Sequence, residues 1–383
     1  MPEPVSRAIH DHLALESRIG GYEAAAARED SIDAAYDAVA ALIGARSANV
    51  AFTESATAAY VQALSSIPFQ RGDIILTTCN DYVSNQIQFL SLQSRFGLDI
   101  VRAPDAAAGG VDVDAMADLI HRRRPKVVCV SHVPTNSGLV QDVAAIGRVC
   151  RQAEVLYIVD ACQSVGQMPV DVGRIQCDFL SATSRKFLRG PRGAGFLYVS
   201  DRVLSSGLEP LFIDMRGAEW TAADRYRAVD DAKRFESWEF AWALVLGTAA
   251  AARYAAAIGL EAIQDRVRTL AGRLRTALGG VDGVRVLDRG RDLCAIVSAS
   301  IDGRDPRDLV AALRERRINV NAQIRAYAVI DYDAKGVARS LRLSPHYYNT
   351  EDEIDRAVAA IRELLVADRG HGVHSRGAPR GQQ

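Results

Sequence analysis

A chain of 383 residues and 41.4 kDa is long enough for two domains around sizeable cores, which excludes peptide hormones and small disulfide scaffolds. Lys plus Arg number 46 against 47 Asp plus Glu, a formal charge of -1, so no basic excess marks a nucleic-acid or membrane-surface partner and a small-molecule ligand is expected. The six cysteines (Cys79, Cys129, Cys150, Cys162, Cys177 and Cys294) lack zinc-site spacing, and no apolar run approaches the ~20 residues that span a bilayer, so a soluble cytoplasmic protein with reduced, mostly structural cysteines is expected.

Residues 1–30 are helical in character and include a loop-like Gly20-Gly21; Met1-Pro2-Glu3-Pro4 does not read as a secretory leader. Ser31 can cap a helix whose apolar stripe is Ile32, Ala35, Tyr36, Val39, Leu42 and Ile43. Short runs rich in β-branched residues then recur at Asn49–Phe52, Ile74–Thr78, Ile100–Ala103, Val127–Ser131, Val155–Asp160, Phe179–Ala182 and Gly195–Val199, many separated by helix-like stretches. Continuous apolar strands alternating with helices predict a largely parallel sheet buried on both faces, an α/β doubly wound domain over 31–241, with the last run a candidate antiparallel strand. From Trp242 an alanine-rich helical stretch leads into strand candidates Val284–Leu287, Ala295–Ser300, Ile318–Asn321 and Ser340–Leu343 and a helix Glu351–Leu365, a smaller α+β domain over 242–366. Residues 367–383 are rich in Gly, Arg, His and Ser and predict a disordered tail.

The chemistry is carried by two places. Leu156–Asp160 is an apolar strand that delivers an acid at its carboxyl end, where doubly wound sheets meet their ligands; read alone, such an Asp is a helix cap. Lys186 stands between the strand Phe179–Ala182 and a Gly-rich turn, with Arg185 and Arg189 beside it. An amine so placed can lose its charge by desolvation and cationic neighbours, which is what Schiff-base chemistry requires, whereas a lone Lys on a loop is ordinarily solvated. The glycines of Gly190-Pro191-Arg192-Gly193-Ala194-Gly195 precede a strand rather than open a helix, so they are no dinucleotide fingerprint, and neither a Walker loop nor a metal-binding His pair appears.

An acid with Gln163 three residues on, followed by a Lys before a Gly-Pro-x-Gly-x-Gly turn, resembles the class V aminotransferase family. These are pyridoxal 5'-phosphate (PLP) enzymes of fold type I that include cysteine desulfurases, isopenicillin N epimerases and hercynylcysteine sulfoxide lyases. The likeness runs from about Ile19 to Leu365. It implies that Lys186 carries the cofactor, that Asp160 partners the pyridine nitrogen and that Gln163 contacts the ring hydroxyl. Ser55, Ala56 and Thr57 at a helix start, with Thr183 and Arg185 flanking the lysine, are the implied phosphate contacts. Tyr82 falls where the family has the aromatic stacked on the ring. In the loop after Val127–Ser131, Thr135 or Asn136 supplies a polar contact near the ring hydroxyl and substrate. Arg342 matches the Arg that clamps the substrate carboxylate, and Tyr22 beside Gly20-Gly21 reaches the neighbouring active site of an expected homodimer. Arg234-Phe235-Glu236 resembles a family segment, although the Gly-Thr that follows it in desulfurases is absent, and the family places a further segment before the helix at which this sequence opens.

Desulfurases need a cysteine on a loop of the small domain, and the matching stretch Ile318–Tyr327 has none. The resemblance therefore implies Lys-driven β-elimination from an S-substituted L-cysteine or its sulfoxide. The sulfoxide-lyase branch is favoured by Gly20–Glu23, by Arg185–Gly193 and by the pair Trp238-Glu239. Decarboxylating oxidative deamination of the same conjugates, Cα epimerisation with Tyr82, His346 or Tyr347 as proton donors, and a non-enzymatic PLP-binding role are the alternatives.

Overall fold

Strands that are apolar on both faces need cover on both sides, and the computed structural model, which describes residues 1–371, provides it. One sheet is built from β1 (Val50–Thr53), β2 (Ile74–Thr77), β3 (Asp99–Arg102), β4 (Val127–Ser131), β5 (Leu156–Asp160), β6 (Phe179–Thr183) and β7 (Gly195–Val199). Its order is β1-β7-β6-β5-β4-β2-β3, and β7 alone runs against its neighbours. Every residue of β4 and β6 is buried. The chain divides into two compact units, of which the first holds this sheet and takes in Met1–Thr135, Leu139–Asp265 and Gly290–Asp292.

The predicted stripe Ile32, Ala35, Tyr36, Val39, Leu42 and Ile43 is buried throughout. Its helix opens three residues earlier than expected, at Glu29, because helical hydrogen bonding is under way when Ile32 N–H meets the Arg28 carbonyl at 2.9 Å; Ser31 sits inside the helix and is not its cap. Helix Trp242–Ile258 packs on this helix and on Glu3–Ile19 within the first unit. A hairpin of β8 (Ala218–Ala222) and β9 (Arg225–Ala228) lies between the sheet and that helix in sequence.

The second unit takes in Asn136–Gly138, Arg266–Arg289 and the chain from Leu293. Its antiparallel sheet is built from β10 (Val284–Val286), β11 (Val297–Ile301), β12 (Asn321–Ile324) and β13 (Arg339–Leu343), in the order β10-β11-β13-β12. Leu270, Leu274, Leu341 and Ile361 are among its core residues. The expected strand Ile318–Asn321 is displaced: Ile318 and Val320 pack on that core ahead of the strand, and pairing with β13 begins only at Asn321 opposite Arg342. The last helix runs from Glu351 to His371, past the expected end at Leu365 and into the expected tail; 372–383 lie outside the described residues. Among the described residues no single helix is long and apolar enough to cross a membrane.

Candidate active site

Parallel pairing brings Ser131 of β4, Asp160 of β5 and Ser181 of β6 level with one another at the carboxyl edge of the sheet, so β5 delivers its acid between two neighbouring strand ends. The Asp160 carboxylate is buried. Oδ1 accepts from the Cys162 N–H at 2.9 Å and Oδ2 from Asn85 Nδ2 at 3.0 Å. Burial raises the Asp160 carboxyl, and the Lys186 charge and these two donors oppose the rise. The Cys162 thiol is raised by burial too, again against the charge and a hydrogen bond of Lys186. Lys186 is half-buried, and its Nζ lies 5.7 Å from the centroid of the Tyr82 ring. Tyr82 occupies the cap position of helix Val83–Phe96, where its N–H donates to Ser131 Oγ at 3.1 Å. The structure thus brings together Lys186, Asp160 and Tyr82.

Gln163 and Thr135 also meet, Nε2 donating to Oγ1 at 3.1 Å, while the buried Gln163 Oε1 has no hydrogen-bond partner among the described residues. Ser55 follows β1 and caps helix Ala56–Ser65, its hydroxyl accepting from Ala58 N–H at 3.1 Å; the helix-cap use of this side chain is therefore present, and Thr57 is exposed beside it. Thr183 donates to the Ala194 carbonyl at 3.2 Å, and Arg185 is exposed.

Gly195 seats this helix start against the lysine strand. It pairs with Thr53 and Thr183, and a Cβ on it would lie 2.7 Å from backbone atoms of Ser55 and Ala182 and 2.8 Å from Ala56 N. Gly195→Ala must push backbone aside, with an expected cost of about 1–3 kcal/mol. Thermal melting and PLP titration of the variant should show both a lower melting temperature and a weaker affinity.

The three other expected contacts have surroundings of their own. Tyr22, 77% exposed, lies in the short helix Gly21–Ala26 rather than in a loop, because helical bonding resumes at once after Gly20. Arg342, on β13 of the second unit, donates to Ser344 Oγ at 3.1 Å, and burial pushes its guanidinium down to about 10. Asn136, also in the second unit, donates from Nδ2 to Asp331 Oδ2 at 2.6 Å, and Asp331 is paired with Lys335 at 2.8 Å, so its amide is held in a buried network.

Asn85 and Ser131 were not singled out from the sequence, yet they bond to Asp160 and to Tyr82. The available signal was the position of Asn85 one helical turn after Tyr82, on the same face. His132, next in line, is buried with Nδ1 lacking a partner among the described residues, and burial lowers it to about 4. A histidine held neutral binds its proton less readily folded than unfolded, so its stabilising effect is complete above about pH 6.5 and is lost as pH falls toward 4. His132→Gln should flatten that slope in apparent melting temperature, by up to about 3 kcal/mol across the window.

An amine for an aldehyde, a buried acid for a ring nitrogen, an aromatic beside the amine, an unsatisfied amide oxygen and a helix N-terminus suited to phosphate form a donor set that fits PLP. A doubly wound sheet with an antiparallel small domain and such a set defines a PLP enzyme of fold type I. The chain belongs to the class V aminotransferase family, "Aminotransferase class-V", whose model matches residues 2–357, and PLP is its cofactor. It is 30% identical over 372 residues to a "Probable cysteine desulfurase" of Methanothermobacter thermautotrophicus, covering 95% of this chain and 92% of the relative. It is 31% identical over 362 residues to a "Probable hercynylcysteine sulfoxide lyase" of Mycobacterium tuberculosis, covering 94% and 85%. The apo cysteine desulfurase of Thermococcus onnurineus NA1 superposes with a TM-score of 0.88 at 26% identity, covering 96% of this chain and 92% of that one.

Proposed function

We propose that this chain is a PLP-dependent carbon–sulfur lyase that acts on an S-substituted L-cysteine or its sulfoxide by β-elimination. The Cα–H and Cβ–S bonds break, a Cα=Cβ bond forms, and water completes the products: a thiol or sulfenate, pyruvate and ammonia. The observation that carries this reading over sulfur uptake by the protein is the make-up of 318–327. Where desulfurases need a thiolate, this chain has β12 and the turn Arg325–Tyr327 without a cysteine. The relative named for a sulfoxide substrate supports the sulfoxide option.

Bound PLP supplies the sink for the electron pair left at Cα when its proton departs. Lys186 Nζ takes that proton and returns it to the leaving sulfur. Asp160, held by Cys162 N–H and Asn85, keeps a proton at the ring nitrogen, and Tyr82 covers the ring. Gln163 and Thr135 orient the ring hydroxyl. The N–H groups of Ala56 and Thr57, with Ser55, Thr183 and Arg185, receive the phosphate, and Arg342 holds the substrate carboxylate. A homodimer is part of the proposal, with the exposed Tyr22 ring offered to the partner.

Incubation with a panel of S-alkyl-L-cysteines and their sulfoxides, under nitrogen and in air, should release pyruvate matched by thiol or sulfenate-derived product in both atmospheres. Intact thioether with an aldehyde formed only in air would replace the reading with oxidative deamination. A protein-bound persulfide formed from L-cysteine would return the chain to the desulfurases.

A further inference from the structure

We propose that Asp81 is a positioning residue for the cofactor's aromatic cover: it ties the end of β2 to Ser131 of β4, and Ser131 in turn holds Tyr82 beside Lys186. This rests on the reading of Lys186, Asp160 and Tyr82 as the PLP site.

Asp81 directly precedes Tyr82, yet its carboxylate does no capping for the helix that follows. Oδ1 accepts from the Ser131 N–H at 2.7 Å, while Oδ2 takes the Thr77 hydroxyl, the Thr78 N–H at 3.3 Å and Gln86 Nε2 at 3.3 Å. Ser131 Oγ then accepts the Tyr82 N–H at 3.1 Å. Ser131 is also the residue paired with Asp160, and Asn85, on the first turn after Tyr82, reaches Asp160 Oδ2 at 3.0 Å. Two strand ends and the following helix are therefore joined through a single acid, β5 is tied in by its pairing at Ser131 and by Asn85, and the backbone so fixed carries the ring beside Lys186.

A carboxylate buried to this degree is costly unless its charge is matched, and the donors it meets are neutral. Burial pushes it up to about 7, with Asp160 on β5 raising it and Ser131 and Thr78 lowering it. The other titratable groups that face it are the Tyr60 hydroxyl of helix Ala56–Ser65, the Cys129 thiol of β4 and the Tyr157 hydroxyl of β5; burial raises all three, so each is neutral near pH 7. Gln86, its partner on helix Val83–Phe96, is itself held by Arg102 of β3 at 2.7 Å. Ionised, Asp81 grips all four donors; protonated, it grips them weakly and Tyr82 is released from its seat.

The test measures the PLP dissociation constant and the near-ultraviolet dichroism of bound PLP between pH 5.5 and 8.5 for wild type, Asp81→Asn, Asp81→Glu and Ser131→Ala. Asp81→Asn should weaken PLP binding about tenfold at pH 8, alter the dichroism and remove the part of the wild-type pH dependence centred near 7. Asp81→Glu should restore part of the affinity and the pH dependence. Ser131→Ala keeps the N–H that Asp81 accepts but drops the acceptor for Tyr82, and it should shift the dichroism in the same direction; it carries the test if Asp81→Asn does not fold. Variants with wild-type affinity, dichroism and pH dependence but a lower melting temperature would overturn the inference. A wild-type protein that takes up no PLP and gives no borohydride-fixed adduct on Lys186 would instead sink the site reading itself.

Discussion

Lys186→Ala is expected to lower turnover of S-substituted cysteines by roughly 10³-fold or more, since on the proposed mechanism it removes both the covalent anchor and the base at Cα. Its fold should survive. Lys186 is half-buried, and the turn it belongs to is closed by backbone bonds from Arg189 N–H to the Lys186 carbonyl at 3.0 Å and from Gly190 N–H to the Ser184 carbonyl at 2.7 Å. The variant also removes the positive charge that opposes the rise of both Asp160 and Cys162. Both groups should then move further up, which alkylation of Cys162 against pH would register as a slower reaction at a given pH. Wild-type protein treated with borohydride should carry the pyridoxyl mass on the peptide containing Lys186, and the variant should carry none. Turnover within tenfold of wild type would remove Lys186 from the chemistry.

Much of the large domain is legible in the sequence because its strands are short, mostly apolar runs bounded by helix-like stretches. Val127–Ser131 and Phe179–Thr183 are buried on both faces and leave no competing period in the sequence. The hairpin of β8 and β9 escaped because its residues are mostly exposed, so no apolar alternation marks it. Asn321–Ile324 was misplaced for a related reason: the apolar Ile318 and Val320 belong to the core ahead of the strand, while Asn321 and Gln323 make the ladder. Boundaries set by a hydrogen bond one turn away, as at Arg28 and Ile32, are likewise invisible to periodicity.

Asp160 and Lys186 are candidates from the sequence itself, because one ends a recognisable strand and the other precedes a recognisable Gly-rich turn, whereas Tyr82 rests on the family resemblance alone. Their partners could not be named in advance. Asn85 meets Asp160 across 75 residues of chain, and Ser131 meets Tyr82 across 49, contacts that only the sheet order creates. Ser55 shows the opposite limit. A hydroxyl at a helix start suits phosphate and backbone equally well, and only the fold reveals that it is already bonded to Ala58.

Asp160→Asn should separate function from stability. An amide cannot hold a proton at a pyridine nitrogen as a carboxylate does, and removing one such preorganised charge from a buried site typically lowers kcat roughly 10²-fold or more. Stability should move the other way. The folded Asp160 carboxyl is raised above its unfolded value because burial outweighs the Lys186 charge and the two donors. A raised acid stabilises the fold while it is protonated, and that contribution is lost as pH rises through its folded value. At pH 8 the apo protein therefore holds a buried charge at a net cost, and the neutral amide relieves it. Geometry permits the exchange: the oxygen of the introduced amide can still accept from the Cys162 N–H, and the Asn85 amide can turn its oxygen toward the new NH₂. The expected result is a higher apo melting temperature at pH 8 than wild type, a difference that shrinks toward pH 5, together with the loss of turnover. A variant that loses stability at pH 8 while keeping its kcat would mean that Asp160 serves as a structural cap and that the ring nitrogen has another partner.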